Sequence, residues 1–241
     1  KVNLRTKKTG TMPRKTDFLS FYDHLDEFRS RFIKSAISIL LCSFASYHYR
    51  DAILRFLIKP IDRLYYNAPS DAFTIQVGLS LFVGCLIASP LVLYQIWQFV
   101  AVALKDDEKR FISTFGPFSL ILFMLGTVFA YFVAVPISIN FLLSFSNDML
   151  VPMISVGSYI SFIITLILAF GVMFEFPLVI LFLAKIGIAT PAFLVQKRRH
   201  AIVLIFIISA VLTPPDVISQ FVMAVPLCVL YELSIIAARI A

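Results

Sequence analysis

Acidic side chains stand at three places in this sequence where a carboxylate could bind or move a charged group. Glu27 lies four residues before Arg31 in a segment with helical spacing of apolar residues, and a run of three acids, Asp106 to Glu108, separates two long apolar segments. Glu175 lies deep inside a third apolar segment. Because a guanidinium fork pairs with both oxygens of a carboxylate, two acidic sites on one surface could bind a ligand with adjacent arginines.

Each of these positions also has a purely structural interpretation. Glu27 and Arg31 could form an ordinary i,i+4 pair on a solvated helix face, and the acids at 106–108 could be solvated loop charge. Glu175 is expected to face the protein interior or a water-filled cavity, neutral or paired, because an isolated charge in hydrocarbon is expensive. Glu232, near the end of the last apolar segment, could reach the interface and have a structural role.

The elements that carry these residues are predicted to be transmembrane helices. Hydrophobic residues make up 60% of the 241 residues, phenylalanine alone accounts for 25, and charged residues for only 15%. Average soluble domains are about 45–50% apolar. The apolar runs extend for roughly 20 residues without strict alternation, which favours helices over the strands of a barrel.

The apolar segments predict an all-α, polytopic membrane protein with about six spans. Four of them contain or border a proline that should kink or break the helix: Pro90, Pro136, Pro177 and Pro226. The fifth segment has only about a dozen apolar residues before the Thr-Pro-Pro-Asp run that begins at Thr213 and looks short for a full crossing. The predicted spans are 32–49, 75–104, 113–135, 159–184, 201–212 and 217–238.

The N-terminal part of the chain is predicted to differ from the rest. Residues 1–17 are expected to form a poorly ordered tail, and 18–241 a single transmembrane domain. The domain should begin with an amphipathic helix at the interface, since apolar residues recur from Phe18 to Phe32 at helical spacing.

The distribution of lysine and arginine predicts that both termini lie on the cytoplasmic side, because short cytoplasmic loops retain basic residues. Basic residues collect before span one, after spans two and four, and at the end of the chain, whereas 136–158 has none. The first loop runs against this rule because it holds Arg50, Arg55, Lys59 and Arg63. The net charge of +7 is dispersed along membrane borders with no aromatic-interleaved patch, so we expect lipid headgroup contact and no nucleic acid.

No motif in the sequence indicates a catalytic, cofactor or metal site. The three cysteines form no CxxC pair, and no phosphate-binding loop or nucleophile constellation is present. We therefore expect that the protein is not an enzyme and takes no cofactor.

Five motifs together resemble the TatC family, the receptor subunit of the twin-arginine protein translocase. They occur in the family's order over nearly the whole chain, with Phe28 where leucine is usual and Val102 where proline is usual. The motifs are HLDEFRSR (24–31), PLVLYQIWQF (90–99) followed by EKR (108–110), FGVMFEFP (170–177), LTPPDVISQ (212–220) and LYE (230–232).

The resemblance implies a receptor that uses the proton-motive force to export folded proteins bearing twin-arginine signal peptides. It implies signal-peptide binding by Glu27, Glu108, Phe99 and Arg29, and intramembrane polar roles for Glu175 and Gln95. It also implies docking of the single-span subunits TatA and TatB at a hairpin that includes Thr213, Asp216 and Gln220. The expected location is the bacterial inner membrane, or alternatively the thylakoid, with several copies in a receptor complex.

Two other functional classes remain possible from the residues alone. An ion-coupled secondary transporter could relay protons through Glu175 and Glu232, but it should show paired repeats, and none is visible. A membrane-embedded hydrolase would need a base near a nucleophile, whereas His24, His48 and His200 all lie near or beyond span ends.

Overall fold

Long helices dominate the computed structural model, which describes residues 15–58, 64–102, 106–144, 153–213 and 216–240. Side chains at 15–23, 106–114 and 240 lie outside that description, as does the predicted tail up to residue 14. The helices are α1 Lys15–Tyr47, α2 Arg50–Ile58, α3 Asp71–Val102, α4 Asp106–Phe129, α5 Val135–Leu143, α6 Val156–Phe174, α7 Phe176–Lys185, α8 Pro191–Gln196, α9 Arg198–Leu212 and α10 Val217–Ile240.

The all-α prediction is confirmed, and four stretches in the described chain are long and apolar enough to cross a membrane. They are Asp71–Val102, Phe115–Leu143, Val156–Lys185 and Val217–Arg239. The predicted amphipathic segment and first span form one continuous helix, α1. The fifth predicted span is α9, whose 15 residues rise only about 22 Å against about 30 Å of hydrocarbon. A count of six spans with both termini inside remains a prediction that this architecture allows.

The prolines shape the spans in different ways. Pro90 and Pro226 lie within continuous helices, α3 and α10. The predicted break at Pro136 is instead a π-helical turn, Ala130–Ala134, after which α5 continues the span. The wider turn accommodates a residue that cannot donate a backbone hydrogen bond. Before Pro177 the span divides into α6 and α7, and Glu175 is the residue between them.

Small residues let the helices approach closely where they cross. A Cβ placed on Gly126 of α4 would lie 2.5 Å from the Phe170 carbonyl oxygen of α6, and one on Gly171 would lie 2.8 Å from the Phe123 ring. A Cβ on Gly84 of α3 would lie 2.5 Å from the Ser43 backbone nitrogen of α1. Such contacts are the usual basis of helix association in lipid, where apolar burial between helices gives little driving force.

A cap on one side of the bundle joins the first loop to the segment before α6. The Tyr65 N–H donates to the Ile154 carbonyl at 3.0 Å, and the Val156 N–H donates to the Tyr65 carbonyl at 2.9 Å. The buried Tyr159 hydroxyl also donates to the Leu57 carbonyl of α2 at 2.9 Å. Tyr65 and Ile154 therefore lie at the same end of the bundle, as expected for positions two spans apart.

Candidate functional site

Glu27 projects from α1 beside the aromatic and apolar residues that face α3. At about 100° per residue, His24, Glu27 and Arg31 fall on one side of the helix. The Arg31 Nη2 atom lies 2.5 Å from Glu27 Oε1, and the two side chains are 19% and 36% exposed, respectively. The carboxylate is therefore accessible from solvent while its partner is mostly covered.

The matching part of α3 presents an amide and an aromatic ring to α1. Arg31 Nη1 donates a hydrogen bond to Gln95 Oε1 at 3.1 Å. The Phe99 ring lies one helical turn further along α3, with its centroid 4.9 Å from that of His24 and 5.5 Å from that of Phe28. These six residues, His24, Glu27, Phe28, Arg31, Gln95 and Phe99, form what we call the α1–α3 cluster.

An open apolar groove of about 470 Å³ runs along the two helices from this cluster. Arg31, Ser35 and Gln95 supply polar groups at the groove, and the other lining side chains are apolar. The lining residues are Phe28, Arg31, Phe32, Ser35, Ala36, Ile39, Val92, Gln95, Ile96 and Phe99. A segment with a cationic end followed by apolar residues would match this arrangement of carboxylate, aromatic rings and groove.

Two other residues assigned to signal-peptide binding are not part of this contact network as described. The Arg29 side chain is exposed on α1. The Glu108 side chain lies outside the described residues, although the backbone at 108 belongs to the first turns of α4. Their roles remain predictions.

Glu175 occupies a separate position at the interface of α4 with α6 and α7. Ser119 of α4, which is fully buried, donates a hydrogen bond from its hydroxyl to Glu175 Oε2 at 2.7 Å. The other oxygen, Oε1, is buried with no hydrogen-bond partner among the described residues. Gln95, the other residue predicted to have an intramembrane polar role, accepts a hydrogen bond from Arg31.

The three residues assigned to partner docking hold together the turn between α9 and α10. The Thr213 hydroxyl donates to the Ser209 carbonyl at 2.8 Å, and Asp216 Oδ2 accepts from the Ser219 N–H at 2.7 Å, as an N-cap does. Gln220 Nε2 donates to the Phe206 carbonyl at 3.1 Å. These contacts fix the hairpin whether or not a partner binds there.

Two interactions between helices were not predicted from the sequence. They are the bridge that Arg31 forms from α1 to α3 and an ion pair between α9 and α10. Arg198 Nη2 lies 2.7 Å from Glu232 Oε2 and links the start of α9 to the C-terminal part of α10. The i,i+4 spacing from Glu27 was visible, but the distance of 64 residues from Arg31 to Gln95 gives no local signal. Among the described residues no group of three or more His, Cys, Asp or Glu side chains could hold a metal ion.

Comparison with known proteins gives one consistent family. The family described as Sec-independent protein translocase protein (TatC) matches residues 23–226. The chain is 41% identical to the translocase protein TatC of Carboxydothermus hydrogenoformans, covering 92% of this chain and 93% of that one. It is 40% identical to that of Aquifex aeolicus, covering 91% and 94%.

A solved structure agrees with these sequence matches. The crystal structure of a twin-arginine translocase receptor, TatC, superimposes with a TM-score of 0.82 at 40% identity, covering 90% of this chain and 98% of that one. The predicted family resemblance is thereby confirmed, and the ion-coupled transporter receives no support.

Proposed function

The chain belongs to the TatC family of Sec-independent protein translocase proteins, and from that premise we propose that the α1–α3 cluster binds signal peptides with two consecutive arginines. The protein is a multi-pass membrane component of the twin-arginine translocase. The finer proposal concerns which of its surfaces meets the peptide.

The observation that supports the proposal most directly is the accessible Glu27 carboxylate beside two aromatic rings. Glu27 already holds one guanidinium, that of Arg31, so its position suits this type of ligand. Phe28 follows Glu27 on α1, and its ring centroid lies 5.5 Å from that of Phe99. A guanidinium pairs with a carboxylate through its edge and packs on an aromatic ring through its face, so the cluster offers both kinds of contact.

The groove gives a place for the part of the peptide that follows the arginines. Signal peptides carry an apolar segment of about 7–15 residues after their basic end. The apolar groove between α1 and α3 starts at Phe28 and Arg31, the same residues that border Glu27. A peptide with its arginines at Glu27 could therefore lay the start of its apolar segment along this groove.

The remaining expectations about partners belong to the same proposal. Glu108, in the first turns of α4, would supply the second carboxylate for the arginine pair. The single-span subunits TatA and TatB would dock at the α9–α10 hairpin near Thr213, Asp216 and Gln220. Glu175, with one oxygen that accepts no hydrogen bond from the described residues, would meet a polar group of the peptide or of a partner helix.

Binding of a fluorescent twin-arginine peptide to the purified protein in mild detergent tests the proposal. Glu27→Gln keeps the shape of the side chain but removes its charge, and should weaken binding about tenfold, the equivalent of about 1.4 kcal/mol for one charge-assisted hydrogen bond. Asp26→Asn is the matched control, since Asp26 is an exposed carboxylate at the neighbouring position on α1.

The two variants distinguish peptide binding at a specific carboxylate from a general response to the charge of the surface. Equal weakening by Glu27→Gln and Asp26→Asn would mean that the peptide responds only to the acidity of the surface. No weakening by Glu27→Gln would remove the α1–α3 cluster from the binding site. Glu108→Gln in the same assay tests the second carboxylate.

A further inference from the structure

Arg31 makes more contacts than a solvated i,i+4 partner would. Its Nη2 atom pairs with Glu27 on α1, and its Nη1 atom donates to Gln95 on α3. The side chain is only 19% exposed. The guanidinium is thus held between two helices, with its fork divided between a carboxylate and an amide oxygen.

This contact gives the cluster an internal cation where a ligand's cation should bind. Asp26 and Glu27 are matched in number by Arg29 and Arg31 within six residues of α1. A ligand guanidinium that reaches Glu27 Oε1 must compete with Arg31 for the same oxygen.

We propose that Arg31 occupies Glu27 until a signal-peptide arginine replaces it, and that this competition lowers the affinity of the cluster for basic peptides. The inference rests on the proposed function, since it assumes that Glu27 binds the peptide. An incoming arginine can restore both bonds that Arg31 gives up, to Glu27 and to Gln95. A lysine ammonium is a single point charge without the planar fork, so it is less suited to span the two acceptors and compensate for the exchange.

Arg31 is therefore an internal competitor whose removal should make binding of basic peptides stronger. Arg31→Gln leaves Glu27 without its internal partner. We expect affinity for the twin-arginine peptide to rise about two- to fivefold, the range measured for partly exposed ion pairs. Affinity for the twin-lysine peptide should rise by a similar factor, because both peptides have to displace Arg31 from Glu27 in the wild type.

The test measures both peptides against wild type, Arg31→Gln and a charge-matched control in detergent. Lys34→Gln makes the same change in net charge at an exposed position three residues further along α1. It should change the two affinities less than Arg31→Gln does, because it removes the same charge without freeing Glu27. In the double variant Glu27→Gln with Arg31→Gln, the gain from losing Arg31 should disappear, because the contested carboxylate is gone.

A second variant covers the case in which Arg31→Gln does not fold. Gln95→Leu removes only the α3 end of the bridge, so Arg31 should leave Glu27 more easily. The twin-lysine peptide should then gain affinity, whereas an incoming arginine loses its second acceptor and gains less. Unchanged affinities in the folded variants, or a loss of affinity like that of Glu27→Gln, would overturn the exchange while leaving the receptor site in place. If Glu27→Gln itself has no effect, the proposed function fails instead.

Discussion

The closest approach of α1 to α3 gives a direct test of how the candidate site is held. A Cβ added at Gly84 would lie 2.5 Å from the backbone nitrogen of Ser43 and 2.6 Å from its Cα, where ordinary contact begins at 3.4 Å. These are backbone atoms, so relief requires α1 to move by about 0.9 Å relative to α3 and not merely a change of rotamer. Gly84→Ala should therefore carry a steric penalty of about 1–3 kcal/mol from overpacking.

Gly78→Ala is the matched control because it lies in the same helix and its Cβ would meet nothing within 4 Å. Alanine should stabilise that position by about 0.5–1 kcal/mol through its helix propensity. Since both variants gain that term, the difference between their free energies of unfolding isolates the steric term of about 1–3 kcal/mol. Denaturant titration in mixed micelles, followed by circular dichroism, measures this difference.

The same displacement should also be visible in function. The hydrogen bond from Arg31 to Gln95 has a length of 3.1 Å and joins the helices that Gly84→Ala would separate. We expect Gly84→Ala to change the arginine-to-lysine preference of peptide binding, and Gly78→Ala to leave it alone. Equal stability of the two variants would refute the reasoning that backbone contact at Gly84 sets the spacing of α1 and α3.

Further predictions concern the cap and the α9–α10 ion pair. Tyr159→Phe removes the buried 2.9 Å hydrogen bond to the Leu57 carbonyl and should lower the free energy of unfolding by about 0.5–1.5 kcal/mol. Tyr131→Phe removes an exposed 3.3 Å hydrogen bond to the Phe56 carbonyl and should lower the free energy of unfolding by less in the same titration. Arg198 and Glu232 should show a coupling energy of at most about 1 kcal/mol in a double-mutant cycle, falling as salt is added, because their side chains are 42% and 46% exposed. A larger coupling energy that did not change with salt concentration would mean that the pair is desolvated in the membrane.

Much of the helical architecture could be predicted because it follows from local sequence. Apolar runs of about 20 residues define the spans, and the interruption of the fourth span lies within two residues of Pro177, as a missing backbone donor requires. The effect of Pro136 was predicted less well. A break and a π-helical turn both accommodate a proline, and the packing of Ala130 and Ala134, which are fully buried, is a property of the assembled bundle.

The candidate site was also predicted only in part from the sequence. Residue types and helical spacing identified Glu27, and the motifs drew attention to Phe99 and Gln95. The contact of Arg31 with Gln95 could not be found, because nothing in a single sequence relates residues 64 positions apart. The local pairing of Glu27 with Arg31 therefore looked like an ordinary surface contact.

By itself, the sequence determined that the chain is helical, belongs in a membrane and carries carboxylates where hydrocarbon or its border makes them unusual. These properties depend on hydrophobicity and on spacing along one helix, which local sequence encodes. Only the tertiary structure decided that Arg31 bridges Glu27 to Gln95, that Glu175 meets Ser119, and that Gly84 lets α1 touch α3. Those contacts join distant segments, and their geometry depends on side-chain volumes that are matched only when the helices pack.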